Sequence, residues 1–367
     1  MPVINGLRAI AILGVIWHHL FFHLLVPPMG SAMDGFGLIA LSILTSGWMG
    51  VNLFFFLSGF VLFLPYATGR RSFNTEADSR SYLYRRAVRL LPLFYLSLLT
   101  GIALSDIDRS TLSFMFVLPL TLALLFPLFP FSFFPIGNWV LWSLGVEIFF
   151  SIAFPAIART MQRFAIWKVV FVAASVGLAT RIVGELYFRA PYPTQLNFIS
   201  DGLLGRIDDF ALGMACASLY ALQRLPRHAL TFPAGLLLIL LSTTLSLQWI
   251  LQVLPPWSLA VAHTLFNVGV FLAVSHLVNS RGFVARILEL KPVQVVGMMC
   301  FSLYVWHGII LLKIYPHHGS NSAIEILSRL PQYLIVTFSI AAVSYRFIEF
   351  PKRSVRDLFL AKAKASI

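Results

Sequence analysis

Apolar stretches of about twenty residues, the length that crosses a bilayer's hydrocarbon core, recur along nearly the whole of this chain. Hydrocarbon offers no water to backbone N–H and C=O groups, so such a stretch must satisfy them within itself as a helix. Candidate spans lie near residues 5–26, 38–65, 90–105, 138–157, 168–187, 203–221, 231–250, 258–278, 293–313 and 330–349. The second is long enough to tilt or kink. A further apolar segment, 111–136, is divided by Pro119, Pro127, Pro130 and Pro135. Counted as one crossing, it would turn every later basic cluster to the opposite face. It is therefore expected to re-enter the membrane or lie at its interface. The expected fold class is all-α: a polytopic transmembrane helical bundle of about ten spans plus that segment. A single membrane domain is expected over residues 1–367, with no appended soluble domain.

Composition agrees, since 59% of residues are hydrophobic and only 11% charged, against about 25% charged in soluble domains. The net charge of +13 raises nucleic acid as a partner, but the basic residues recur in short clusters between apolar runs. That is the pattern of cytoplasmic loops, and nucleic-acid binding is set aside. With both termini cytoplasmic, only Arg109, Arg181, Arg189, Arg206, Lys313 and Arg329 face outward among the 27 lysines and arginines. His18, His19 and His23 interrupt or end the first apolar run and no small-residue cleavage site follows, so it reads as a retained helix, not a signal peptide. Cys216 and Cys300 both fall in apolar runs without Cys-x-x-Cys or zinc spacing. His317 and His318 lack partners for a metal site, and no metal is expected.

Three ionisable residues interrupt the apolar runs: His19, Glu147 and His307. A charged group at such depth costs roughly 2.5–3.5 kcal/mol or more, which makes each a candidate functional residue. Arg8 and His19 are eleven residues apart on one helix, so they face within roughly 20° of each other and about 16 Å apart along its axis, with His18 about 100° away. A histidine titrates near neutrality and suits a general base toward a hydroxyl, although a structural histidine at a helix contact fits equally. Arg85, Arg86 and Arg89 open the third span, where two guanidiniums on one face beside a positive helix end would grip phosphate. An ordinary positive-inside anchor is the alternative. Ser143 and Glu147 share a face of the fourth span, and the partner of Glu147 must come from another helix: His19, His307 or Arg206. Arg206 and Asp208 form a charged group at the start of the sixth span. Tyr304 and Trp306 flank His307 as a sugar-stacking surface or as interface aromatics.

Taken in order, these segments resemble the acyltransferase-3 family of bacterial integral-membrane O-acyltransferases. The resemblance is carried by Gly6-Leu7-Arg8-Ala9 to His19, Gly50-Val51 to Ser58-Gly59-Phe60, and Arg85-Arg86-x-x-Arg89 to Pro92. It continues through Trp142-Ser143-Leu144 to Glu147, Arg206-x-Asp208, Ser302-x-Tyr304-x-Trp306-His307, and Arg346 to Pro351. It implies a multi-pass protein of the bacterial inner membrane that transfers an acyl group, commonly acetyl, from cytoplasmic acyl-CoA to a glycan hydroxyl. The acceptors this implies are lipopolysaccharide, exopolysaccharide or another secreted sugar. No permanently bound cofactor is implied; acetyl-CoA, or another acyl-CoA, is the donor substrate. His19 matches the family's essential histidine, Arg8 its first-helix arginine, and Arg86 with Arg89 its arginine pair. Asn52 stands where many members carry an acidic residue, and Ile148 and Phe150 replace more polar residues after Glu147.

On this reading His19 and Glu147 are catalytic, Glu147 orienting or charge-balancing a histidine. Arg8, Arg85, Arg86 and Arg89 hold the donor's phosphates. Ser143, Arg206, Asp208, Tyr304, Trp306 and His307 shape the acceptor side. The partners are acyl-CoA, a glycan or lipid-linked sugar, and the bilayer. The rival class is a transporter or flippase for a glycan or lipid-linked sugar, which the sequence disfavours because it lacks paired broken helices in corresponding halves. A non-catalytic membrane partner of a polysaccharide synthase is a third reading.

Overall fold

The computed structural model describes residues 1–24, 35–106, 110–188, 196–226, 228–316 and 323–352. Every regular element among them is helical. In order these are α1 (Pro2–Leu24), α2 (Gly35–Thr45), α3 (Gly50–Ala67), α4 (Glu76–Leu104), α5 (Leu112–Leu122), α6 (Trp142–Arg163) and α7 (Ile166–Tyr187). There follow α8 (Ile207–Ala221), α9 (Thr231–Ile250), α10 (Trp257–Leu277), α11 (Phe283–Leu288), α12 (Lys291–Met298), α13 (Cys300–Ile314) and α14 (Ala323–Ser344). Among the described residues, eight helices are long and apolar enough to cross a membrane, or nine if α12 and α13 count as one span.

Three departures from the sequence reading have physical causes. The third helix begins fourteen residues earlier than expected, at Glu76, because Thr75 and Asp78 cap it reciprocally: the Thr75 hydroxyl accepts from the Asp78 amide (3.3 Å) and the Asp78 carboxylate from the Thr75 amide (2.8 Å). Arg85, Arg86 and Arg89 therefore lie within α4 and not at its start, so the helix dipole adds little to their field. The expected sixth span is the 15-residue α8, short of a crossing, with twelve residues buried. An apolar helix enclosed on all sides belongs to a bundle core. The expected ninth span is broken, with α12 and α13 meeting at 71°. In keeping with the expectation that 111–136 makes no single crossing, it holds only the 11-residue α5 and a short 3₁₀ turn, Phe126–Leu128, each too short to span.

Where lipid replaces water, helices pack through small residues and close backbone contact. α3 and α8 meet in this way. A methyl group on Gly59 would stand 2.2 Å from the Phe210 carbonyl oxygen, and one on Gly213 2.0 Å from that of Phe56. Only glycine permits this approach. It fixes the register in which Asn52 of α3 donates to Asp209 of α8 (3.2 Å). α1 is gripped by α3, α12 and α13, which places its Arg8–His19 face inside the bundle.

Candidate active site

His19 meets His307 across the α1–α13 contact. The rings lie nearly parallel, 5.0 Å apart, with His19 Nδ1 2.8 Å from His307 Nε2. His307 Nδ1 is 2.6 Å from the Tyr304 carbonyl oxygen. A carbonyl can only accept, so Nδ1 of His307 carries its proton and Nε2 its lone pair in the neutral ring. His19 then donates from Nδ1, and its own lone pair sits on Nε2. The Trp139 and His19 rings meet nearly at right angles, with centroids 4.6 Å apart. Trp139 belongs to a 3₁₀ turn, Trp139–Leu141, pinned to α13 by Asn138 donating to the Val305 carbonyl (2.9 Å). His307 is wholly buried and His19 half-buried. The outcome is an imidazole with a fixed tautomer, and a lone pair on Nε2 has the chemistry of a base or a nucleophile.

His19 opens on a cavity of about 300 Å³, here the histidine cavity. Trp48, Trp139, Trp142 and Trp249 line it, together with the buried Arg181, Glu185, Asp201 and Arg206. Arg206 pairs with Asp201 and donates to His263 Nδ1 (2.6 Å), which Asn52 also approaches (3.1 Å). Arg181 forms a two-pronged pair with Asp208 (2.7 and 2.8 Å), and Asn267 and Thr264 complete the set. The forks are not fully satisfied: the buried Nε atoms of Arg181 and Arg206 have no hydrogen-bond partner among the described residues.

A second cavity of about 140 Å³ is lined by Arg8, Arg86, Arg89, Glu147, Ser143 and Cys300, among others. Glu147 pairs with Arg86 and accepts from Ser58 (2.5 Å). Among the described residues, neither Arg8 nor Arg89 has a carboxylate within ion-pair distance. Glu349, whose charge reaches both, accepts from Ser302 (2.5 Å). This arginine cavity therefore carries surplus positive charge. Val51 and Tyr304 line both cavities and form the wall between them. Tyr304 is held there by donating to the Val140 carbonyl and accepting from Ser143, both at 2.6 Å.

The model of the acyltransferase domain family, acyltransferase-3, matches residues 1–348. The chain belongs to the acyltransferase-3 family. Two relatives extend the match: YrhL of Bacillus subtilis strain 168, named a candidate peptidoglycan O-acetyltransferase, is 24% identical over 96% of this chain and 55% of its own length. The O-acetyltransferase OatA of Staphylococcus aureus is 22% identical over 96% of this chain and 57% of its own. The chain thus spans little more than half the length of these relatives. No solved structure matches it.

Within this acyltransferase-3 chain the structure gathers Arg8, Arg86, Arg89, Ser143 and Glu147 at one cavity and His19, Arg206 and Tyr304 at the other, with His307 behind His19. Several expected placements change. Glu147 stands with Arg86, not with a histidine or Arg206, because α4 and α6 bring those two side chains together across the arginine cavity. Arg85 is exposed and lines neither cavity, since it lies one turn nearer the start of α4 than Arg89 and its guanidinium turns back to Ser81 (2.5 Å). Trp306 is buried against α14, donating to Ser344 (2.7 Å), and Asp208 lies behind Arg181; neither lines the histidine cavity. His317 and His318 lie outside the described residues.

Sequence reasoning missed His263, Asp201, Arg181 and Glu185 at the histidine cavity. A signal existed for His263: it interrupts an apolar run as His19 and His307 do. In sequence Arg181 is simply one of the outward cations, and Asp201 gives no periodic signal because it sits in the bend before α8.

Proposed function

We propose that this chain is a multi-pass membrane O-acyltransferase of the bacterial inner membrane. It moves an acyl group, acetyl by analogy with its named relatives, from acyl-CoA to a hydroxyl of a glycan or lipid-linked sugar. The observation that carries this reading is the pair of unlike cavities sharing a wall: surplus guanidiniums on one side, a tautomer-fixed histidine on the other. Acyl-CoA enters the arginine cavity from the cytoplasm, with Arg8, Arg86 and Arg89 on its phosphates. Its thioester passes Tyr304 toward His19, which helix geometry places about 16 Å from Arg8.

The acceptor hydroxyl loses its proton to His19 Nε2 as its oxygen attacks the thioester carbonyl. The C–S bond then breaks, and the departing thiolate takes the proton back from His19. His307 accepts from His19 Nδ1–H throughout, stabilising the imidazolium that forms. A covalent route begins from the same Nε2 lone pair, with the acyl group passing first to that nitrogen.

Membranes containing the chain, incubated with radiolabelled acetyl-CoA, test the proposal. Label should appear in glycan, and His19→Ala should lower its transfer by at least about a hundredfold while membrane insertion is unchanged. Undiminished transfer by that variant overturns the assignment.

A further inference from the structure

The two cavities differ in charge as well as in shape. Arg8, Arg86 and Arg89 face the arginine cavity against the single carboxylate of Glu147. The histidine cavity is lined by Arg181 and Arg206 against Glu185 and Asp201, with Asp208 and Asp209 directly behind. Each of its guanidiniums is already engaged: Arg206 by Asp201 and His263, Arg181 by Asp208. All four lining charges are at least nine-tenths buried. An anionic ligand would bring a further negative charge into this carboxylate-rich space with no free cation among the described residues to meet it, and burying an unpaired charge is strongly unfavourable.

The remaining wall points to a ligand of definite kind. Four of the chain's eight tryptophans border this one cavity. Their flat faces suit the C–H faces of a pyranose ring, while the paired Arg206–Asp201 edge supplies donors and acceptors for hydroxyls. A volume of about 300 Å³ stands at the small end of the roughly 300–1,000 Å³ typical of small-ligand sites, room for one sugar ring and not an oligosaccharide.

We infer that the histidine cavity takes a single uncharged pyranose unit of the acceptor and rejects acidic sugars. This rests on the acyltransferase reading for its link to catalysis, but binding tests it separately. The purified protein is titrated with methyl glucoside, methyl glucuronamide and methyl glucuronate, and with their galacto counterparts, and tryptophan fluorescence is followed. Glucuronamide and glucuronate both lack the 6-hydroxyl and differ in charge, so their comparison isolates it. The neutral glycosides of at least one series should perturb the fluorescence with Kd values at least about tenfold below that of the matching acid. Glu185→Gln and, separately, Asp201→Asn each remove one negative charge and should narrow that gap by roughly tenfold. Equal binding of acid and amide, or no binding by any neutral glycoside, overturns the inference. Either result leaves the acyltransferase reading standing as long as radiolabelled acetyl-CoA still labels membrane glycan; loss of that labelling in the unaltered protein overturns the reading and its link to this site together.

Discussion

His307 offers the sharpest test of the tautomer argument, because its two nitrogens have separable duties. Nε2 accepts from His19 and Nδ1 donates to the Tyr304 carbonyl. Gln places a carbonyl oxygen near the Nε2 position, whereas Asn places an amide near Nδ1. His307→Gln therefore keeps an acceptor for His19 Nδ1–H and the lone pair on Nε2. His307→Asn keeps the bond to Tyr304 and leaves His19 unpaired on that side. A buried donor deprived of its partner costs roughly 1–3 kcal/mol, which is about five- to 150-fold if it falls wholly on the transition state. Release of His19 to the other tautomer, which carries a proton where the base is needed, adds to that loss. Acyl transfer from radiolabelled acetyl-CoA should thus fall by at least about fiftyfold in His307→Asn and by less than about tenfold in His307→Gln. Circular dichroism and detergent melting check that both variants fold. Equal losses in two folded variants would refute the hydrogen-bond chain, as would equal retention.

Other outcomes follow from the arginine cavity and the packing. Arg89→Ala should raise the donor KM by roughly tenfold or more with little change in kcat, while exposed Arg85→Ala should shift neither by more than about twofold; steady-state kinetics with acetyl-CoA decides. Cys300 lines the arginine cavity and Cys216 is wholly buried. N-ethylmaleimide should therefore modify one cysteine per folded chain, and desulfo-CoA should slow that reaction; an unchanged rate would place the donor elsewhere. Gly213→Ala drives a methyl to 2.0 Å from a backbone oxygen that cannot rotate away, whereas the nearest atom to a methyl on Gly14 is 3.4 Å off. Overpacking of that kind costs about 1–3 kcal/mol, so the first variant should lower Tm measurably and the second should not.

Much of the site was legible because a helix is locally periodic. The 3.6-residue repeat alone puts Arg8 and His19 on one face of a helix that is unbroken in the structure, though each lines a different cavity, and Ser143 beside Glu147 at one cavity. Orphaned charges in apolar runs marked His19, Glu147 and His307 through the cost of burying them. The same rule, applied to His263, would have reached the histidine cavity from another side. Partners were not legible. Arg86 and Glu147 are 61 residues apart, and His19 and His307 are separated by 288. No local pattern says which faces of α4 and α6, or of α1 and α13, will meet.

The amino-acid sequence by itself determined the family, the helical membrane class and the residues too costly to bury without a purpose, because hydrophobicity, periodicity and charge are properties of the chain read in order. The bundle decided the rest. It shortened one apolar run to a core helix and bent another, gave Glu147 to an arginine, and divided the polar residues into a cationic cavity and a carboxylate-rich one. Those outcomes depend on backbones pressed together at Gly59 and Gly213 and on side chains joined across helices, contacts that exist only once distant segments have packed.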